Sequence, residues 1–237
     1  MKYRLLVARV TSIRVALLVE PIFSAVSTLR VDRGLRGKIV SATQNPCMPE
    51  LTPDVVSAQH FTQTAQPKIS APSGLVLRPW SHDDSAVVFE AFQDPMIQRW
   101  HVRAAASTDE ASSWIEAWNR AWCNAIRAHW AVADSDGRIV GRASLKHMDL
   151  PAGQAEMAYW TMPAARGLAV APRAVEALTA WAFDGVGFHR LELTHSVHNH
   201  PSCRVADKTG FLLEGTKASA GLHLDGWHDM HLHARTK

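Results

Sequence analysis

The residues from Met162 to Ala171 have the composition of a turn that binds an anionic group. They join a predicted strand, residues 155–161, to a predicted helix, residues 171–183. The first N–H groups of a helix have no intrahelical partner and lie at the positive end of the helix dipole. We therefore predict a pyrophosphate-binding turn, for which an ordinary strand-to-helix turn that contains a glycine is the alternative. Its residues are Arg166, Gly167, Leu168, Ala169, Val170 and Ala171.

The histidines and cysteines offer a second kind of chemistry. Eight of the 13 histidines lie from His189 onward, and residues such as His231 and His233, two positions apart on a predicted strand, point the same way. A metal site is conceivable, but half-exposed neutral histidines are the simpler interpretation. The three cysteines include no C-x-x-C pair. We therefore expect no metal, no disulfide framework and a reducing compartment.

Hydrophobic periodicity and turn residues predict the elements that position these residues. Strands are predicted over 75–78, 130–133, 139–145, 155–161, 191–197, 212–217 and 230–234. Helices are predicted over 81–93, 171–183 and 201–209, and a further helix starts at 107 and includes Trp122. Ser81 and Ser107 each begin a capping box. Trp114, Trp118 and Trp122 recur every four residues, which favours a core or pocket wall. The order of elements indicates a mixed α/β layer fold.

Charge and tryptophan divide the chain unevenly. Residues 1–38 contain eight basic and two acidic residues, whereas residues 39–237 contain 17 and 20. All nine tryptophans lie from Trp80 onward. We predict a basic N-terminal extension over 1–40, a Pro/Ser/Thr-rich linker over 41–74 and one domain over 75–237. An organelle transit peptide is the alternative for the extension. Its longest apolar stretch is too short to span a membrane.

Four segments in this order resemble the GNAT superfamily of acyl-CoA-dependent N-acetyltransferases, and within it the RimJ/RimL-type branch. They are 77–79, 154–160, 163–171, and 199–202 with 205–211. The resemblance implies a GNAT-like, mostly antiparallel sheet flanked by helices, with its two central strands splayed apart to admit pantetheine. In this family the turn reads Arg/Gln-x-x-Gly-x-Gly/Ala. Here Ala169 stands where the invariable glycine of that pattern is expected, and a Cβ there disfavours the left-handed backbone.

The resemblance also assigns roles to individual residues. Acetyl transfer needs a base to deprotonate the ammonium group and an acid to protonate the thiolate that leaves. The resemblance places the base at Glu156, for which an ordinary cross-strand charge is the alternative. It places a proton donor at Ser202, otherwise a helix cap, and a pantetheine contact at Asn199, otherwise a turn residue.

These features predict an N-acetyltransferase that takes acetyl-CoA as co-substrate and acetylates a primary amine, on a protein N-terminus or a small molecule. A non-catalytic acyl-CoA-binding module is the alternative, because a fold alone does not prove chemistry. We expect a cytoplasmic monomer or homodimer with no nucleic-acid or membrane partner. The net charge of −3 over residues 39–237 favours a cationic acceptor.

Overall fold

The computed structural model describes residues 52–237. The predicted extension over 1–40, and residues 41–51 of the predicted linker, lie outside this range. Eight strands form one sheet: β1 (Ile69–Ala71), β2 (Leu75–Pro79), β3 (Ala128–Ala133), β4 (Ile139–Asp149), β5 (Gln154–Thr161), β6 (Arg190–Ser196), β7 (Leu212–His223) and β8 (Gly226–Thr236). Six α-helices flank it: α1 (Gln59–Thr62), α2 (Ser85–Ala91), α3 (Pro95–His101), α4 (Thr108–Cys123), α5 (Val170–Ala180) and α6 (His200–Lys208).

The strand order is β1-β2-β3-β4-β5-β6-β8-β7. Every neighbouring pair is antiparallel except β5 and β6, which run parallel. This pair is in register only from Gln154 opposite Arg190 to Glu156 opposite Glu192. Because both strands continue beyond this point, they separate there. The predicted mixed sheet with splayed central strands is therefore confirmed.

Alternate residues of the central strands face two separate hydrophobic clusters. On β3, Trp130 belongs to the cluster that includes much of α5, whereas its neighbour Ala131 belongs to the cluster under α2, α3 and α4. Successive strand residues point to opposite faces, so the sheet separates two cores. The α4 tryptophans follow this division. Trp122 packs in the first cluster, and Trp114 and Trp118 pack against the second.

Part of the predicted linker belongs to the folded domain, which corrects the boundary expected near Gly74. Val56 and Phe61 are buried, and β1 adds a strand to the sheet edge. The Val55 and Val56 amides donate to the carbonyls of Pro151 and Leu150, at 3.2 and 3.1 Å. The Pro/Ser/Thr-rich composition of residues 41–74 predicted a linker, because the few apolar residues that pack on the domain do not change the average composition.

Helix α3 was not predicted from the sequence. Asp94 caps it, since its Oδ1 accepts from the Met96 and Ile97 amides, and Pro95 occupies the first turn. This Asp-Pro pair is a helix-start signal. The helix is only seven residues long, too short for apolar periodicity to reveal it. Within residues 52–237 no helix is both long and apolar enough to cross a membrane.

Candidate active site

A cavity of about 510 Å³ lies beyond the point where β5 and β6 separate. The end of β5, helix α3, the turn before α5 and the first turns of α6 form its walls. Most predicted site residues line it, namely Arg166, Gly167, Ala169, Val170, Ala171, Asn199 and Ser202. Leu168 does not, because its side chain turns outward and is exposed. Glu156 does not line it either.

The turn before α5 presents unpaired backbone donors to this cavity. Within residues 52–237, the amides of Gly167, Ala169, Val170 and Ala171 donate to no protein acceptor. Helix α5 is eleven residues long, so its dipole adds partial positive charge at this end. The arrangement fits the negatively charged pyrophosphate of coenzyme A.

The backbone at Ala169 adopts the left-handed conformation that the family motif reserves for glycine. Its φ is +55°, and Gly167 has a φ of +82°. A side chain with Cβ adopts this region at an energetic cost, because Cβ approaches the following carbonyl oxygen. The alanine therefore preserves the shape of the turn at the expense of local strain.

Arg166 does not point freely into the cavity but binds the cap of α3. Its Nη2 lies 2.5 Å from Asp94 Oδ1. Burial alone would raise the pKa of Asp94, but hydrogen bonds from Arg166 and from the Ile97 amide lower it overall. This ion pair joins two walls of the cavity.

Asn199, Ser202 and Tyr159 surround the region where pantetheine would enter between the strands. Asn199 Oδ1 accepts from the Ser202 amide at 3.3 Å, so Asn199 is the cap of α6 and Ser202 is not. The Tyr159 hydroxyl is buried and has no hydrogen-bond partner of ordinary geometry within residues 52–237. Burial raises the pKa of Tyr159, and the neighbouring Ser202 side chain opposes this shift. The hydroxyl is therefore available to donate to a ligand bound in the cavity.

A second cavity of about 470 Å³ shares Trp100 and His101 with the first as common walls. Four cationic side chains line it: Arg103, Arg127, Arg142 and Lys146. Phe92, Trp114 and Trp118 supply aromatic walls. In the part of the chain that the structure describes, no Asp or Glu lines it.

Arg142 is the most buried of these cations. Its Nε has no hydrogen-bond partner within residues 52–237, and its guanidinium lies 5.2 Å from the centre of the Trp118 ring. Burial and the nearby Arg103 lower the pKa of Arg142 to about 10, so it remains charged at neutral pH. His129, which also lines the cavity, has a buried Nδ1 without a partner among the same residues.

Glu156 lies beside this second cavity rather than beside the first. Its two carboxylate oxygens contact Lys146 Nζ at 3.0 Å and His147 Nδ1 at 2.8 Å. Adjacent strand residues normally face opposite sides of a sheet. Here β4 is irregular between Lys146 and Asp149, and His147 has a φ of +50°, so both side chains reach the same glutamate. The sequence did not reveal this bulge.

His101 separates the two cavities. Its Nε2 lies 3.2 Å from the Tyr159 carbonyl, which can only accept, so Nε2 carries the proton. Burial, followed by the charge of Arg142, lowers the pKa of His101 to about 3. The imidazole is therefore neutral at physiological pH.

Comparison with known proteins agrees with this architecture. Residues 74–212 match the model of the acetyltransferase (GNAT) domain family. The putative ribosomal N-acetyltransferase YdaF of Bacillus subtilis (strain 168) is 33% identical over 93 residues, which are 39% of this chain. The match spans 50% of that relative's length.

Solved structures show the same fold. The ribosomal L7/L12 α-N-protein acetyltransferase RimL, in complex with coenzyme A, has a TM-score of 0.65 at 19% identity, over 72% of this chain and 98% of its own. RimJ of Mycobacterium smegmatis has a TM-score of 0.64 at 22% identity, over 72% and 86%. The chain belongs to the acetyltransferase (GNAT) domain family.

Proposed function

We propose that this protein transfers an acetyl group from acetyl-CoA to a primary amine that carries an anionic group close by. The observation that supports this proposal is the second cavity, where the described residues bring four cationic side chains and no carboxylate against an aromatic wall. Membership of the GNAT family supports acetyl transfer as the reaction. The cationic side chains of the second cavity support an anionic group on the acceptor.

Acetyl-CoA would supply an acyl group already activated as a thioester. The free amides of Gly167, Ala169, Val170 and Ala171 would hold its pyrophosphate. The hydroxyls of Ser202 and Tyr159, which line the same cavity, would donate hydrogen bonds to the sulfur as it leaves. Asn199 acts mainly by capping α6, which orients Ser202.

The acceptor would enter by the second cavity. Direct transfer requires that the amine approach the thioester from a side that the pantetheine does not fill. The second cavity meets the first at Trp100 and His101, which line both. The two cavities are therefore neighbours, and Trp100 and His101 lie at the boundary where the amine would meet the thioester.

The charges of this cavity favour an anionic group on the acceptor. Within residues 52–237, Arg103, Arg127 and Arg142 form no ion pair, and Lys146 pairs only with Glu156. Guanidinium groups bind carboxylates and phosphates through paired hydrogen bonds. A cationic acceptor, which the net charge favoured, would be repelled here. The whole-domain charge did not represent the charge of the pocket.

Glu156 and His147 form the candidate base. A histidine whose Nδ1 donates to a carboxylate has Nε2 free to accept a proton. His147 lines the acceptor cavity and binds Glu156. We therefore propose that His147 Nε2 accepts the proton of the ammonium group and that Glu156 orients the His147 ring. The pair would deprotonate the ammonium group before attack.

The names of the RimL and YdaF relatives, acetyltransferases of ribosomal proteins, support a protein N-terminus as acceptor. A small anionic amine, such as an amino acid derivative, satisfies the same chemistry. We assign the reaction to the cytoplasm.

A peptide panel tests the proposal. Short peptides with an N-terminal serine, followed either by glutamates or by lysines, are incubated with acetyl-CoA, and released CoA is measured with a thiol reagent. We expect kcat/KM to be at least about tenfold higher for the acidic peptides. Glu156→Gln and His147→Asn should lower kcat by about 10²-fold. Glu176→Gln, which replaces an exposed glutamate paired with Arg235, is the matched control and should leave kcat unchanged.

Each outcome separates one part of the proposal. Equal turnover of both peptides, or preference for lysine peptides, would exclude the anionic acceptor but keep the transferase. Binding of acetyl-CoA by calorimetry, with no CoA release from any amine, would support the non-catalytic module instead.

A further inference from the structure

Four side chains converge between helix α6 and the sheet, and none of them lines the cavity proposed for acetyl-CoA. His195 on β6 and His231 on β8 are directly paired across the two strands, and His233 follows two positions later on β8. Cys203 reaches them from α6, with Sγ 3.9 Å from His231 Nδ1. One donor atom from each of the four lies within 4.8 Å of all the others.

Two of these imidazoles are already oriented as metal ligands are. His195 Nδ1 lies 2.8 Å from the Ser196 carbonyl and His233 Nδ1 lies 3.1 Å from the Phe211 carbonyl. A carbonyl can only accept, so Nδ1 carries the proton in both rings and Nε2 keeps a lone pair. A backbone carbonyl on the second nitrogen is a common way to fix a metal-bound histidine.

The Nε2 atoms of these two rings have no partner in the described part of the chain. His195 is 6% exposed and His233 is 1% exposed, and Nε2 of each has no hydrogen-bond partner within residues 52–237. The two rings stack with centroids 5.1 Å apart. Leaving two buried acceptors unpaired costs free energy, and a single cation would satisfy both. The sequence suggested half-exposed histidines, whereas His195 and His233 are buried.

We propose that His195, Cys203, His231 and His233 bind one Zn²⁺ ion. One thiolate and three imidazoles form a donor set that suits this borderline-soft cation. In a tetrahedral zinc site with one thiolate and three imidazoles the ligand atoms are roughly 3.3–3.5 Å apart, as follows from Zn–N and Zn–S bonds of about 2.0 and 2.3 Å. Binding therefore requires the four donors to draw together by about 1 Å.

The ion would have a structural role that reaches the acetyl-CoA cavity. Four protein ligands leave no open coordination position for a substrate. Cys203 directly follows Ser202, and α6 begins directly after its cap, Asn199. The metal would thus fasten α6 to β6 and β8, and with it one wall of the cavity. Metal loading tests the site without reference to turnover.

Cobalt provides the direct test, on full-length protein prepared without a polyhistidine tag. Co²⁺ added to metal-free protein should bind with one-to-one stoichiometry. It should produce the visible bands of a tetrahedral site and a thiolate charge-transfer band in the near ultraviolet. Cys203→Ser should lose the charge-transfer band, and His233→Gln should weaken binding at least about tenfold. His223→Gln, whose ring stacks on His228 in the same hairpin, is the control and should bind as the wild type does.

A second measurement guards against variants that fail to fold. Zn²⁺ should raise the thermal midpoint of the wild type, because a ligand that binds only the folded state stabilises it. It should not raise that of Cys203→Ser, provided its circular dichroism matches the wild type. The proposal is overturned if wild-type protein takes up no stoichiometric Co²⁺ or Zn²⁺, or if Cys203→Ser binds with unchanged affinity and spectrum.

Discussion

The guanidinium of Arg166 lies 2.5 Å from the carboxylate of Asp94 and so joins the turn before α5 to the N-terminus of α3. Both elements line the cavity proposed for acetyl-CoA. Asp94 also caps α3 through the Met96 and Ile97 amides. A carboxylate beside an anion site weakens that site, and it competes with phosphate for the arginine.

Replacing Asp94 with asparagine should separate these two effects. The asparagine side chain would still cap α3, since asparagine and aspartate cap helices about equally well. The charge near the pyrophosphate would be lost and Arg166 would be released. We expect the calorimetric Kd for coenzyme A to fall about three- to tenfold. Asp94→Ala removes the cap as well, so it should also lower the free energy of unfolding by about 1 kcal/mol. Weaker binding by Asp94→Asn would mean that the ion pair shapes the site rather than competing with it.

Ala169→Gly should stabilise the protein. The backbone at this position has a φ of +55°, which glycine adopts without the steric cost of a Cβ. We expect the free energy of unfolding to rise by about 0.5–1 kcal/mol in chemical denaturation. Ala171→Gly, two residues later in the regular helix, is the control. It should lower the free energy of unfolding by about as much as Ala169→Gly raises it. Destabilisation by Ala169→Gly would show that the alanine methyl makes a needed contact.

Tyr159→Phe should separate stability from activity. The hydroxyl it removes is buried and has no partner within residues 52–237, so its loss should leave the free energy of unfolding unchanged or higher. If that hydroxyl hydrogen-bonds the bound thioester, kcat/KM should fall about tenfold. Matched denaturation and steady-state kinetics check both. A less stable variant with full activity would assign the hydroxyl a structural role only.

Arg142→Met should have opposite effects on stability and on substrate use. Methionine keeps much of the apolar length but removes a buried charge that has no acidic partner within residues 52–237. The free energy of unfolding should therefore rise by about 1 kcal/mol or more. At the same time kcat/KM for an acidic peptide should fall about tenfold, with little change for a neutral one. Arg138→Met, which replaces an exposed arginine directly before β4, is the control and should change neither quantity.

The buried His101 should make stability depend on pH. Its pKa is held at about 3 by burial and then by the Arg142 charge, whereas an unfolded histidine titrates near 6.5. Between these values the unfolded chain binds one more proton. The contribution of the neutral His101 to the free energy of unfolding is thus fully present above pH 6.5 and is lost as pH falls toward 3. His101→Gln should make the free energy of unfolding between about pH 6 and 4 less steep by about 1.4 kcal/mol per pH unit. An unchanged slope would contradict the buried neutral histidine.

Residues close together in the sequence predict the helix starts at Ser81 and Ser107 and the turn before α5. Ser81 forms the predicted capping box with Asp84. Ser107 accepts from the Glu110 amide as expected, but the Glu110 carboxylate accepts from the Ala106 amide, so the second predicted capping box is only half formed. The turn from Arg166 to Ala171 enters α5 with free amides, as its small residues and its place before a helix indicated. These features depend on residues within a few positions of one another, so they can be derived from spacing alone.

Only the tertiary structure decided which side chains meet. The bulge in β4 brings Lys146 and His147 to Glu156, α3 brings Asp94 to Arg166, and α6 brings Cys203 to the histidines of β6 and β8. It also gathered four cations in one cavity of a domain with a negative sum of charges. Such contacts depend on strand register and on packing between distant segments. Local backbone preferences contain no information about either.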